Sequence, residues 1–154
     1  MTRYASETGV PIERSRAEIE RILTRYGAHA FMYAVDANKA MIAFEVTGRH
    51  IRMVLPMPTD KDDKIGLDRW GYKRSDSAVQ VLIEKEARRR WRALALVIKA
   101  KLEAVSSGIA VFDDEFLAYT VLPSGETFGQ WAKPQLNQLA SGGRMPKMLS
   151  AGTE

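Results

Sequence analysis

The chain has 154 residues, enough for one ordinary domain, and 45% of them are apolar, enough for a single core. It contains no cysteine, which excludes a disulfide framework, thiolate metal sites and a cysteine nucleophile. The formal charge is +4, from 23 basic and 19 acidic side chains, a balance that decides little until its placement is known.

Residues Met1–Ser6 hold no apolar run, and no stretch of about 18 apolar residues occurs, so neither a secretory signal nor a membrane span is expected. With the missing cysteine, this points to a cytoplasmic protein. Residues 1–10 read as a loose polar segment, 11–143 as one domain, and 144–154, after Gly142-Gly143, as a tail. Ser15-Arg16-Ala17-Glu18 has the pattern of a capping box. Ile19, Ile22, Leu23 and Tyr26 follow at helical spacing, and Gly27 suits the closing position. Three strand-like runs come next, Ala30–Val35, Met41–Val46 and His50–Leu55, joined by Asp36-Ala37-Asn38-Lys39 and Thr47-Gly48-Arg49. Such short connections predict an antiparallel meander. Residues 56–75 form a long polar connection, a kind of segment that is often functional or mobile. The pattern gives it no more definite role.

Ser75-Asp76-Ser77 opens the longest element. From Ala78 to Val105 there is no Gly or Pro, and Gly108 closes the run. As one helix these 28 residues would extend roughly 42 Å. Its apolar face is Ala87, Trp91, Leu94, Ala95, Ile98, Leu102 and Val105. Two more strand-like runs, Ile109–Phe112 and Phe116–Leu122, flank the acidic step Asp113-Asp114-Glu115. Thr127-Phe128-Gly129-Gln130 is a second capping-box pattern, and Pro134 should shorten or kink the helix it starts. The expected fold class is α+β: a largely antiparallel sheet, with one or two later strands beside the meander, covered by a long central helix and two shorter ones.

The main candidate for function is the long helix. Between Glu84 and Glu103 there are seven basic and three acidic residues, a local +4 that equals the charge of the whole chain. Lys85, Arg88, Arg89, Arg92 and Lys99 share one flank and span about 21 Å of helix axis. Cations on a rigid rod at that scale can meet several phosphates of nucleic acid, or an acidic protein surface. The bland alternative is a solvated face, with Glu84 paired to Arg88 and Glu86 to Arg90.

Other chemistry is less well supported. The triplet Asp113-Asp114-Glu115 would hold a divalent cation only with a further carboxylate. The loop from Asp60 to Gly66 has its glycine one place late for a calcium loop, and no glutamate closes it. His29 and His50 lack metal-pair spacing, and His50 should be exposed. Glu45 lies where a metal nuclease would need an acid, without the lysine that should follow. There is no Walker loop, G-x-G-x-x-G or G-x-S-x-G, so no cofactor is expected. Tyr4, Tyr26, Phe31, Tyr33 and Phe44 would stack on bases only if they lined an open sheet face.

The run Arg89-Arg90-Trp91-Arg92-Ala93-Leu94 and the segment Val97–Val105 resemble small proteins encoded by bacteriophages and prophages. So do Glu115-Phe116-Leu117-Ala118-Tyr119, Leu122-Pro123-Ser124-Gly125, Gly129 and Trp131. The resemblance spans Val10 to Leu149 and carries over no functional residue. It implies a bacterial host cytoplasm and work in phage DNA metabolism or against host defences. Three readings follow in order: a non-enzymatic domain binding DNA or RNA non-specifically through the basic helix; a protein–protein inhibitor of a host nuclease or defence complex, anti-CRISPR-like in its role; and a metal-dependent enzyme built on the carboxylates.

Overall fold

The computed structural model describes residues 10–144. The expected loose segment and tail therefore lie almost wholly outside the described residues. Helix α1 is Ile12–Arg25, and strands β1 (Ala30–Val35), β2 (Lys39–Val46) and β3 (Arg49–Pro56) follow. They form one antiparallel sheet in the order β1-β2-β3. The turn between β2 and β3 puts both Thr47 (φ 51) and Gly48 (φ 75) in the left-handed region. That is the geometry a two-residue hairpin needs to match the twist of its strands.

Register assigns the faces. Phe44 pairs with Phe31 and Ile51, and Ile42 with Tyr33 and Met53. These side chains therefore share one face, which is covered by helices. The cover is α1 and the long helix α3 (Asp76–Ser106). Ile19, Ile22 and Leu23 of α1 and Trp91, Leu94, Ala95, Ile98 and Leu102 of α3 close the core over Ile42, Phe44, Val46, Ile51 and Met53. Ser75 caps α3 by accepting from the Ala78 backbone N–H at 3.3 Å.

The expected α+β class, meander and long central helix are present. Several local expectations need correction. Helix α1 begins at Ile12 after Pro11, so Ser15 lies inside it, fully buried with its hydroxyl unpartnered, and caps nothing. Pro11 takes the N-cap place, its carbonyl accepting from the Arg14 and Ser15 backbone N–H groups, and Glu13 in the first turn suits the positive end of the helix, which sets the boundary upstream. The two later strand-like runs do not form strands. Phe112–Glu115 is a short helix, α4, and Leu117–Tyr119 a single 3-10 turn. Only the isolated bridges Ile51–Thr120 and Val121–Thr127 remain of the pairing. The reason is Phe116, which is completely buried against Phe44 and Phe112. Sinking that ring into the core curls the chain where a strand would run straight. The connection after β3 is also more ordered than expected, with helix α2 at Asp63–Gly66 and a bridge between Leu67 and Lys73.

The last helix, α5, covers Phe128–Gly142. Its capping box is as expected: Thr127 accepts from the Gln130 backbone N–H, and the Gln130 side chain accepts from the Thr127 N–H. Pro134 does not end it. Helix α5 docks on the Leu117–Tyr119 turn by its first turn, where a Cβ on Gly129 would lie 2.9 Å from the Ala118 carbonyl oxygen. Beyond that turn Leu136 and Leu139 stand 63% and 75% exposed.

Candidate nucleic-acid interface

Helix α3 carries its apolar residues on the sheet side, so its charged residues fall on two flanks and the outer back. One flank meets α1. There Arg92 donates to the Glu18 carboxylate, fixing the two helices side by side. The other flank meets the connection after β3. Arg90 donates to the Pro56 carbonyl at 2.8 Å and approaches Asp62 at 3.4 Å.

The five predicted stripe residues therefore do not share one environment. Arg89 is engaged by Glu86, with Nε to Oε2 at 2.7 Å. The Arg90 Nε donates to the same carboxylate at 3.0 Å. The hydrogen bond from Arg89, with that from Arg90 adding to it, holds the Glu86 carboxyl below the usual range against the opposing effect of burial. In turn the Arg89 guanidinium is pushed upward by the same hydrogen bond. Arg92 is taken by Glu18. Lys85, Arg88 and Lys99 remain: Lys85 and Lys99 are exposed, Arg88 is half-buried, and none has an ion-pair partner among the described residues. Of the two intrahelical pairs expected, Glu86–Arg90 forms, while Glu84 accepts from Gln80 instead of Arg88.

The remaining candidates are placed as follows. Asp113 forms a two-pronged pair with Arg49, at 3.0 and 3.1 Å, whose hydrogen bond lowers the Asp113 pKa and raises that of Arg49. Glu115 accepts from Lys101 at 2.8 Å. Two acids of the triplet are thus spent on internal pairing. Among the described residues no three His, Asp or Glu side chains gather where a metal ion could sit. His50 is exposed and lies 3.5 Å from Glu45 across the β2–β3 pair. The aromatic residues that could stack on bases only from an open sheet face belong to the core instead: Phe44 is buried, Phe31 and Tyr33 pack at the core's margin from β1, and Tyr26 does so from the end of α1. Tyr4 lies outside the described residues.

Sequence reasoning missed one feature, the hairpin Leu67–Lys73. It presents Trp70 and Tyr72, 68% and 73% exposed, between Arg69 and Lys73-Arg74. The signal was available as aromatics interleaved with cations, but it has no helical or strand period to draw the eye.

No family model, curated protein or solved structure matches the chain. Among the described residues no helix is long and apolar enough to cross a membrane.

Proposed function

We propose that the chain is a non-enzymatic binding domain that engages nucleic-acid phosphates through Lys85, Arg88 and Lys99 on the α1 side of α3. The observation that supports this reading is that Lys85, Arg88 and Lys99 lie along about 21 Å of one rigid helix with no carboxylate committed to them. Open cations on such a rod attract a polyanion and release its counterions on contact. Backbone contacts of this kind position a protein without reading sequence. The phage resemblance is compatible with such a role in DNA metabolism.

The test is retention of duplex DNA at low salt. Lys85→Glu, Arg88→Glu and Lys99→Glu together should abolish it without unfolding the protein, since these side chains lie off the apolar face. Arg92→Gln should leave it nearly unchanged, because that guanidinium already belongs to Glu18. Wild-type protein that retains no nucleic acid would overturn the reading.

A second reading, an inhibitor of a host nuclease or defence complex, draws on α5. Phe128, Trp131, Ala132, Leu136 and Leu139 recur there at helical spacing, and the last two are largely exposed. An amphipathic helix with an uncovered apolar side can lie in a groove of a protein partner.

A further inference from the structure

The geometry points to a second site, on the hairpin Leu67–Lys73, that takes single-stranded nucleic acid by stacking unpaired bases on Trp70 and Tyr72. This rests on the reading that the chain binds nucleic acid, but at a place separate from the α3 flank. The hairpin belongs to the side of α3 that carries Val79, Ile83 and Arg90. The Lys85–Lys99 flank faces the other way, towards α1.

Exposed aromatic rings on a slack loop would signify little. This hairpin is held tightly. The Asp68 carboxylate accepts from the backbone N–H groups of Trp70 and Tyr72, both at 2.9 Å. The Asp68 N–H donates to the Tyr72 carbonyl at 2.8 Å, and Gly71 supplies the left-handed residue (φ 88) that the turn requires. Below it, the Arg74 backbone N–H reaches the Gly66 carbonyl at 2.9 Å and its Nε the Leu67 carbonyl at 3.0 Å. Every hydrogen bond in this set fixes backbone, and none draws either ring inward. The two rings are therefore presented to solvent by an ordered support.

The chemistry around them favours a nucleic-acid strand. The Arg69 guanidinium lies 3.9 Å from the centre of the Trp70 ring. That is a planar cation already stacked on an aromatic face, where a base can extend the stack. Arg69, Lys73 and Arg74 form no ion pair among the described residues, and the acid beside Arg69, Asp68, is occupied by backbone. The groove of about 580 Å³ at the hairpin's base has Lys61, Lys73 and Arg74 balanced by Asp60, Asp63 and Asp76. Lys73 and Arg74 therefore add no net pull on phosphate within the groove, and the strand is met by the outer side of the hairpin, where Arg69 lies on Trp70. A duplex keeps its bases stacked inside and offers nothing to Trp70. A single strand offers both π-faces and backbone phosphate, and stacking is sequence-tolerant because every base has a face.

The experiment measures binding of fluorescent oligo-dT and of a duplex of equal length at low salt by anisotropy, with tryptophan emission followed in parallel. Wild type should bind both, with emission quenched by oligo-dT. Trp70→Ala with Tyr72→Ala should weaken oligo-dT binding about 5- to 100-fold, remove most of the quenching and spare duplex binding. Trp70→Phe, which keeps a face to stack on, should recover much of the affinity. Circular dichroism should show all variants folded. The α3 variant with Lys85, Arg88 and Lys99 reversed to glutamate should lose the duplex and keep the quenching. Oligo-dT binding equal in wild type and the Trp70/Tyr72 variant would overturn the hairpin site and leave the helix reading standing; an aromatic hairpin built for a protein partner would give that result. Duplex binding unaffected by the α3 reversals would sink the helix reading alone. Wild type that binds neither probe would end both.

Discussion

Trp91 is the residue on which the helix layer depends. Its ring is 1% exposed. Tyr33 meets it edge-on at 6.0 Å between centroids, and the Arg16 guanidinium lies over it at 4.6 Å. The Arg16 Nε is buried without a hydrogen-bond partner, and the Tyr33 and Trp91 rings lie against that guanidinium, 5.6 and 4.6 Å from its carbon. Truncation to alanine leaves a cavity and strips the cation of one of those rings. Trp91→Ala should therefore cost about 3–5 kcal/mol, a large part of a small domain's stability. Denaturant unfolding checks it, and Trp91→Phe should fall between the two. A cost below about 1 kcal/mol would mean that the ring is not part of the core. Glu86 offers a test by pH. Its native carboxyl is held low, chiefly by the Arg89 hydrogen bond. A depressed acid stabilises the fold fully above its unfolded pKa of about 4.3, and that contribution is lost as pH falls through the native value. Glu86→Gln should accordingly be less stable than wild type at neutral pH. The gap should close on acidification below about pH 4.3. A gap that stays constant to pH 3 would mean that the carboxylate's charge is not what matters.

Elements were legible where a period or a turn dictated them. Helix α3 was expected over 78–105 and runs Asp76–Ser106, because nothing in it breaks a helix. The meander followed from alternation and from Thr47-Gly48, and register then fixed its covered face. Short elements were not legible in this way. Phe116–Leu122 alternates like a strand, yet the full burial of Phe116 decides its path, and that contact with Phe44 is set by the tertiary fold. A Ser-x-x-Glu pattern marks a helix start at Ser15 only if the helical run does not already begin upstream, and here it begins at Ile12. The site was partly legible for the same reason. The basic flank of α3 is plain from helical spacing, and the pairing of Glu86 with Arg89 three positions on is the kind of contact that spacing announces. Glu18, which takes Arg92, comes from a helix 74 residues away, and no local pattern announces it. The aromatic hairpin is not legible from strand or helix period, because Trp70 and Tyr72 stand open on a turn.

At the scale of the whole molecule, the count of 23 basic side chains overstates how many cations stand open. Arg49, Arg89, Arg90, Arg92 and Lys101 are each tied to a carboxylate. A polyanion approaching α3 meets three open cations instead of the five counted from sequence, and salt dependence reports that number. Each phosphate neutralised on duplex DNA contributes about −0.9 to the log–log slope of affinity against salt. Three contacts give a slope near −2.7, or roughly a 40-fold loss of duplex affinity between 50 and 200 mM salt. Five contacts would give roughly a 500-fold loss over the same range. A titration of a variant with Trp70 and Tyr72 replaced by alanine and Arg69, Lys73 and Arg74 by glutamine, which removes the hairpin's stacking and its cations, isolates the helix. Random and defined duplexes should coincide, because phosphate contacts carry no sequence information. A slope near −4.5 would mean that Arg89 and Arg92 leave Glu86 and Glu18 when DNA arrives, and reversing those two arginines should then reduce it. Affinity indifferent to salt would be incompatible with a phosphate interface altogether, and would move attention to the uncovered apolar side of α5.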